Sequence, residues 1–278
     1  MTLRQLTESG VYKLTENGIE DAELDAFLLL QFLTGISRTQ FYVHRDEEGF
    51  VNTEKIKEDY FNLIEKRCIH IPLAYITGSA DFMGLTFSVN DSVLIPEQDT
   101  EVLVEEVLKY SEGKSILDLC TGSGCIAVSL AILGNPAKVL GSDISEKALE
   151  VARENAKKLS ADVTLIQGDL FDGITEKFDI IVSNPPYIKT DVIQSLAPEV
   201  RDHEPVLALD GDKDGLSFYR RISAGAAEHL NKNGRIYYEI GYDEAAEVSA
   251  ILADCGFRNI EVIKDLAGLD RVVFAERE

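Results

Sequence analysis

Phe178-Asp179-Ile180-Ile181-Val182-Ser183-Asn184-Pro185-Pro186-Tyr187 runs an apolar segment straight into a stiff polar turn. Such a short, nearly continuous apolar run reads as a strand buried on both faces, as in a parallel sheet. In open α/β sheets, the residues just beyond a strand are where ligands are met. Asn184 offers a carboxamide oxygen as an acceptor. Pro185 has no N–H, but its carbonyl is a second acceptor, and the two prolines restrict the turn. Tyr187 adds an aromatic wall. Two fixed acceptors beside a flat face suit a planar –NH2 group. The same four residues also suit a strand-ending loop with no chemistry, so the rest of the chain decides.

Outward from this strand the chain alternates. Ser115–Leu119, Lys138–Ser142, Val163–Ile166, Arg235–Ile240, Ile260–Ile263 and Arg271–Ala275 read as further strands. Helical periodicity covers Cys125–Leu133, a segment capped by Ser145 and reaching Leu159, Leu216–Leu230, and Glu244–Cys255. This βα alternation predicts right-handed crossovers and a doubly wound, mostly parallel sheet. A helix from about Asp99 to Tyr110 precedes it. Towards the N-terminus the pattern becomes wholly helical. Ala22, Leu24, Phe27, Leu28, Leu30, Phe32 and Leu33 form one apolar helix that Gly35 ends, and Ile56, Tyr60, Leu63 and Ile64 mark another. Between the two regions, Tyr75-Ile76-Thr77-Gly78 and Phe82 to Asn90 are short β-rich runs that predict a linking hairpin.

Composition bounds the function. The 278 residues carry 27 basic and 49 acidic side chains, a formal charge of −22. Such a surface repels phosphate backbones, so direct nucleic-acid binding by long-range attraction is not expected. The cysteines Cys68, Cys120, Cys125 and Cys255 lack zinc-ligand spacing and are expected to be reduced. No apolar stretch is long enough to span a bilayer, and Met1-Thr2-Leu3-Arg4-Gln5 opens a polar segment, so a cytoplasmic location is expected.

Asp118-Leu119-Cys120-Thr121-Gly122-Ser123-Gly124 follows the first strand of the alternating region and opens a helix. Glycines there allow a tight turn and close approach of a ligand. Ala127 breaks the G-x-G-x-x-G pattern, and no G-K-[ST] follows, so the turn is not built for pyrophosphate. Asp143 ends the second strand, where a carboxylate can accept two ribose hydroxyls. Asp169 and Leu170 end the third, with an acceptor and an apolar side chain for an adenine ring. Singly, each acid is an ordinary strand-end residue. Three in order describe an adenosine pocket with no phosphate cradle, which suggests S-adenosylmethionine.

Pocket and turn together resemble class I S-adenosylmethionine-dependent methyltransferases of the NPPY branch. The fuller match is to the peptide chain release factor N5-glutamine methyltransferases. It rests on Ala74 to Gly78, Leu94-Ile95-Pro96 with Thr100-Glu101, Asp118 to Gly124, Phe178 to Ile188, and Glu204-Pro205 with Ala208-Leu209. Asp214-Gly215-Leu216, Glu239-Ile240-Gly241, Asp265 to Gly268 and Asp270-Arg271 complete it.

The resemblance implies an α/β, Rossmann-like seven-stranded class I methyltransferase sheet at 96–278. It also implies a helical substrate-recognition domain at 1–72 and a hairpin linker at 73–95. The implied reaction moves a methyl group from S-adenosylmethionine to the side-chain N5 of the glutamine in the GGQ motif of class I release factors. S-adenosylhomocysteine is the product, and no metal takes part. Implied cofactor contacts are Cys120, Thr121, Gly122, Ser123, Gly124, Asp143, Asp169, Leu170 and Asn184. Implied substrate contacts are Asn184, Pro185, Pro186 and Tyr187, with Asn184, Pro185 and Tyr187 catalytic.

Two departures stand out. Where this family usually has Ile-Pro-Arg-Pro, the chain has Ile95-Pro96-Glu97-Gln98, which reverses a charge. The usual glycine of the first turn is Cys120, expected to be a mild change. Phe82 and Phe87 are expected in the core, with a cover over the substrate amide as the other reading. A ribosomal-protein glutamine methyltransferase and an N6-adenine methyltransferase, acting on a flipped base, share the NPPY turn and stand as alternatives.

Overall fold

Thr2 and Gln5 close a capping box: the Thr2 hydroxyl accepts the Gln5 N–H at 3.2 Å and the Gln5 side chain accepts the Thr2 N–H at 3.0 Å. This starts α1 (Leu3–Glu16) in a computed structural model that describes residues 1–49 and 54–278. Helix α2 (Ala22–Thr34) ends as expected at Gly35, whose φ of 68° lets its N–H reach the Gln31 carbonyl. A second capping box, Ser37 with Gln40, starts α3 (Arg38–His44); α4 (Glu54–Cys68) and α5 (Leu73–Thr77) follow. Leu6, Leu14, Ala26, Leu29, Leu30, Tyr60 and Ile64 form the core of this unit. A Cβ at Gly10 would lie 2.3 Å from the Tyr60 hydroxyl oxygen, so α1 and α4 approach closely at that point.

Tyr75-Ile76-Thr77 is helical, not part of a hairpin. Pro72 occupies the N-cap, Gly78 the left-handed C-cap, and the Thr77 hydroxyl bonds back to the Leu73 carbonyl at 3.1 Å. Proline and glycine thus override the β-branched side chains over a single turn. The hairpin is confined to β1 (Ser79–Phe82) and β2 (Leu85–Ser88). Its two-residue turn, Met83-Gly84, has φ of 51° and 72°, the double left-handed geometry that matches the twist of the strands. Phe82 and Phe87 are 1% and 0% exposed and meet edge to face in a core against the sheet. They are core residues.

The sheet unit continues with α6 (Gln98–Leu108), β3 (Ser115–Leu119), α7 (Cys125–Leu133), β4 (Lys138–Asp143), α8 (Glu146–Lys158), β5 (Thr164–Gln167) and β6 (Phe178–Ser183). The polar stretch that follows contains a 3-10 turn (Ile193–Ser195), α9 (Pro198–His203) and α10 (Val206–Leu209). Then come α11 (Ser217–His229), β7 (Leu230–Glu239), α12 (Ala245–Asp254), β8 (Arg258–Lys264) and β9 (Asp270–Glu276).

The seven strands are ordered β5-β4-β3-β6-β7-β9-β8, with β9 antiparallel to both neighbours and the other six parallel. This is the mostly parallel α/β sheet expected. Leu117, Leu119 and Ile181 enter one core, while Ile116, Ile180 and Val182 enter the other. The alternation is the period-two geometry of strands covered on both faces.

Two compact units result: residues 1–78 with 197–203, and residues 79–196 with 204–278. The divisions expected at 72 and 95 thus move. Leu73 and Ile76 pack into the helical core, and the hairpin phenylalanines into the sheet core.

Candidate active site

Register gathers the site. The chain order reverses between β3 and β6, the switch point at which open α/β sheets bind ligands. Leu119 lies opposite both Ser142 and Ser183, so Cys120, Asp143 and Asn184 emerge side by side from three strand ends. Ser183 pairs with Tyr238 on the other side, which brings Glu239 level with Asn184.

The first turn is shaped by left-handed residues, with φ of 61° at Cys120, 56° at Gly122 and 79° at Gly124. The cysteine is therefore not a mild replacement for glycine. A side chain in that conformation costs about 1–2 kcal/mol, and hydrogen bonds on either side hold it there. The Thr121 N–H reaches the Ser142 carbonyl at 3.0 Å, and the Thr121 hydroxyl donates to Asp118 Oδ2 at 2.6 Å. Asp118 is fully buried and its carboxyl is pushed up to about 7 by that burial, with the Thr121 and Ala127 donors opposing.

Asp143 Oδ2 accepts the Gly122 N–H at 2.9 Å and Oδ1 accepts the Ser145 N–H at 2.8 Å. Burial raises this carboxyl and these donors oppose the rise. Each oxygen carries two lone pairs, so the carboxylate keeps acceptor capacity toward a ribose hydroxyl. A Cβ at Gly122 would meet no protein atom within 4 Å, so room for a ligand exists beside the turn. The residues present therefore fit an adenosyl group.

One cleft is lined by Cys120, Thr121, Gly122, Ser123, Asp143, Asp169, Leu170, Asn184 and Pro186. Gly124 does not line it. Its added Cβ would sit 3.0 Å from Ala152 Cβ, so this glycine serves close packing of α7 on α8. Pro185 and Tyr187 also lie outside the lining. Asp169 is held by Arg221 at 2.7 Å, a partner that the sequence did not indicate. Ile95, Pro96, Leu207 and Phe218 complete the apolar walls.

Behind Asn184 lies a second layer. Its Nδ2 approaches Thr100 Oγ1 at 3.4 Å, and the Tyr187 hydroxyl donates to Glu239 Oε1 at 3.4 Å. Glu97 stands at the cleft with Glu204 and Glu239 close enough to be raised by its charge. Burial first, then Glu97, pushes Glu204 up to about 8, against the Ile95 N–H. Glu239 is raised to about 7, chiefly by burial. Burial and Asp99 raise Glu97 itself, and Arg271 lowers it. Arg271 is engaged by Asp265 at 3.1 Å and Asp99 at 2.9 Å. The reversed charge at 97 thus produces a crowded carboxylate cluster.

The cluster has a consequence for stability. Glu204, Glu239, Asp118 and Glu244, the last also raised to about 7 by burial, hold protons in the fold at a pH where unfolded carboxyls, near 4, have lost them. Their contribution is fully present below about pH 4 and is lost as pH rises through about 7 to 8. Tm is therefore expected to rise when pH drops from about 8.5 to about 6, and a falling Tm in a calorimetric series would contradict the assignment.

Residues 5–78 match the PrmC N-terminal domain and residues 95–200 the methyltransferase small domain. A release factor glutamine methyltransferase of Clostridium acetobutylicum is 45% identical over 261 residues, covering 91% of this chain and 90% of its own. One from Geobacter sulfurreducens is 42% identical and covers 98% and 95%. The chain belongs to the release factor glutamine methyltransferase family. A methyltransferase structure from Pyrococcus furiosus, 20% identical with a TM-score of 0.56, covers 70% of this chain and 90% of its own and shares the fold.

The family is one of S-adenosylmethionine-dependent enzymes. Among the described residues, no group of three or more His, Cys, Asp or Glu is arranged to hold a metal ion, and no helix is long and apolar enough to cross a membrane. In the sequence, Thr100 and Glu239 stand only among the residues that carry the resemblance. Nothing local marked them as neighbours of Asn184 and Tyr187.

Proposed function

We propose that this chain methylates the side-chain N5 of the glutamine in the GGQ motif of class I peptide chain release factors. The observation that carries the reading is the placement of Asn184 on the wall of the adenosyl cleft, at the strand end beside Asp143 and the glycine turn. S-adenosylmethionine supplies a methyl group already activated on a sulfonium. The protein must align an amide nitrogen with it, and positioning of this kind is worth about 7–11 kcal/mol. An amide nitrogen is a poor nucleophile because its lone pair is delocalised. The Asn184 side-chain oxygen and the Pro185 carbonyl each accept one N–H, which orients the nitrogen and favours the electron-rich state as positive charge develops. Tyr187 packs on the amide plane. The N–CH3 bond forms as the S–CH3 bond breaks, the surplus proton leaves to water, and S-adenosylhomocysteine remains.

Residues 1–78 are assigned to substrate recognition and the sheet unit to catalysis. The −22 charge favours a protein partner over a nucleic acid and accords with a cytoplasmic location. Methyl transfer from labelled S-adenosylmethionine to a purified release factor tests this. Label on the natural factor and none on one whose GGQ glutamine is alanine is the expected result. Equal labelling of both, or label on neither despite cofactor binding, would reject it in favour of another substrate.

A further inference from the structure

We infer that one face of α11, carrying Arg221, Gly225 and His229, fixes the loop that follows β5, and that Arg221 is the positioning residue that aims Asp169 at the adenine amino group. The inference rests on the S-adenosylmethionine reading of the cleft and deepens it, naming residues outside the loop that make the site selective for adenine.

Gly168, Asp169 and Leu170 line the cleft, and the loop runs on to Ile174, which is buried in the core. Leu170 has a φ of 57°, a left-handed backbone that a side chain adopts only when its surroundings hold it. The Ser142 hydroxyl holds it from β4, donating to the Leu170 carbonyl at 2.9 Å. The other side is held by α11. Arg221 Nη2 donates to Asp169 Oδ2 at 2.7 Å. Four residues on, Gly225 lets the Phe171 ring lie against the helix, since an added Cβ would sit 2.7 Å from two ring carbons. Four further on, the His229 ring stacks on the same Phe171, with centroids 4.3 Å apart and planes at 15°. Its Nε2 lies 3.1 Å from the Ile174 carbonyl oxygen. Residues four apart share one face of a helix, so a single stripe of α11 tracks the loop from Asp169 to Ile174.

The stripe decides more than the place of the loop. Arg221 and Asp169 both stand on the cleft wall, with 46% and 40% of their side chains exposed. An ion pair so open to water adds little stability, but it has a direction. The Arg221 guanidinium also lies over the Phe218 ring, 5.7 Å from its centroid, so it meets the carboxylate from a fixed side. It takes Oδ2, and Oδ1 has no hydrogen-bond partner among the described residues. A carboxylate only accepts. The group that matches it is a donor, as the adenine amino group is. A purine with oxygen at that position presents an acceptor instead and is repelled. Without Arg221 the carboxylate is free to rotate, and the ligand must then bear the cost of ordering it.

The test titrates the full chain calorimetrically with S-adenosylhomocysteine and with S-inosylhomocysteine, in which oxygen replaces the adenine amino group. The wild type is expected to prefer the adenosyl ligand by about tenfold or more. D169N should lose most of this preference, because a carboxamide donates as well as accepts. R221M should reduce it by about threefold or more, weakening the adenosyl ligand and leaving the inosyl ligand nearly unchanged. R221K, which keeps a charged donor, should retain most of the preference. The R221M/D169N double variant should be no worse than D169N alone, because both changes act on one contact. G225A pushes on Phe171 and so on the whole loop, and should weaken both ligands alike, by about fivefold or more. No preference in the wild type, equal weakening of both ligands in R221M, or wild-type affinities in G225A would overturn the inference. R221A takes the place of R221M if that variant does not fold. A wild type that binds neither ligand would remove the cofactor reading and this inference together, whereas normal wild-type binding and preference with unaffected variants removes only this inference.

Discussion

Asn184→Ala is expected to lower kcat by about 10²–10³, the loss typical for one preorganised hydrogen-bonding group at a reacting centre. S-adenosylmethionine affinity should change by only a few-fold. The separation follows from the geometry. Asp143, the Gly122 turn and Leu170 line the side of the cleft assigned to the cofactor, while Asn184, at the adjoining strand end, offers a carboxamide oxygen to a planar –NH2. The substitution removes an acceptor needed most when charge develops on the nitrogen, so its effect falls on kcat more than on KM. Single-turnover rates and calorimetric binding of the cofactor on one preparation check both halves. Turnover within a few-fold of wild type would reject the role given to Asn184, and equal losses in rate and cofactor affinity would make it a binding residue instead.

Gly215→Ala is expected to be the most damaging single-methyl change near the site. The residue sits at φ 79°, where a Cβ costs about 1–2 kcal/mol. That Cβ would also lie 2.5 Å from the Tyr187 carbonyl oxygen and 2.5 Å from Glu244 Oε1. Glu244 can swing aside, but the Tyr187 carbonyl belongs to backbone that packs equally tightly on Gly211. The NPPY turn must therefore move. A displacement of about 1 Å at a reacting centre can cost about 10²-fold in rate. A lowered Tm together with a loss of kcat of that order is the expected outcome. Unchanged kcat in the folded variant would show that the turn tolerates the shift.

Much of this protein is legible in its chain. The runs at 115–119 and 178–183 are strands in the structure at those residues, and α7 spans Cys125–Leu133 as its periodicity predicts. These signals are local: an apolar run bounded by turn residues can be buried in few ways. The NPPY turn, the glycine turn and Asp143 are legible for the same reason, since each follows a recognisable strand. Short elements are less so. Helix α5 carries a β-rich sequence over a single turn, and its proline and glycine borders outweigh side-chain preference.

What lay beyond the sequence is whatever depends on direction or on distant partners. Cys120 reads as a small apolar side chain, but its left-handed φ follows from the path the turn takes between Thr121, Ser142 and Asp143. Gly124 reads as a cofactor contact, but α8 occupies the space in front of it. Glu239 comes level with Asn184, and Arg271 within electrostatic reach of Glu239, only because the pairing of β6, β7 and β9 aligns their ends, while α6 brings Thr100 to Asn184. The chain alone therefore determined the strands, the sheet class and the candidate site residues that follow recognisable strands, because backbone periodicity and turn chemistry act between near neighbours. Tertiary structure alone decided the carboxylate cluster, its raised affinity for protons and the left-handed backbone of Cys120, because burial and strand register are properties of the assembled sheet.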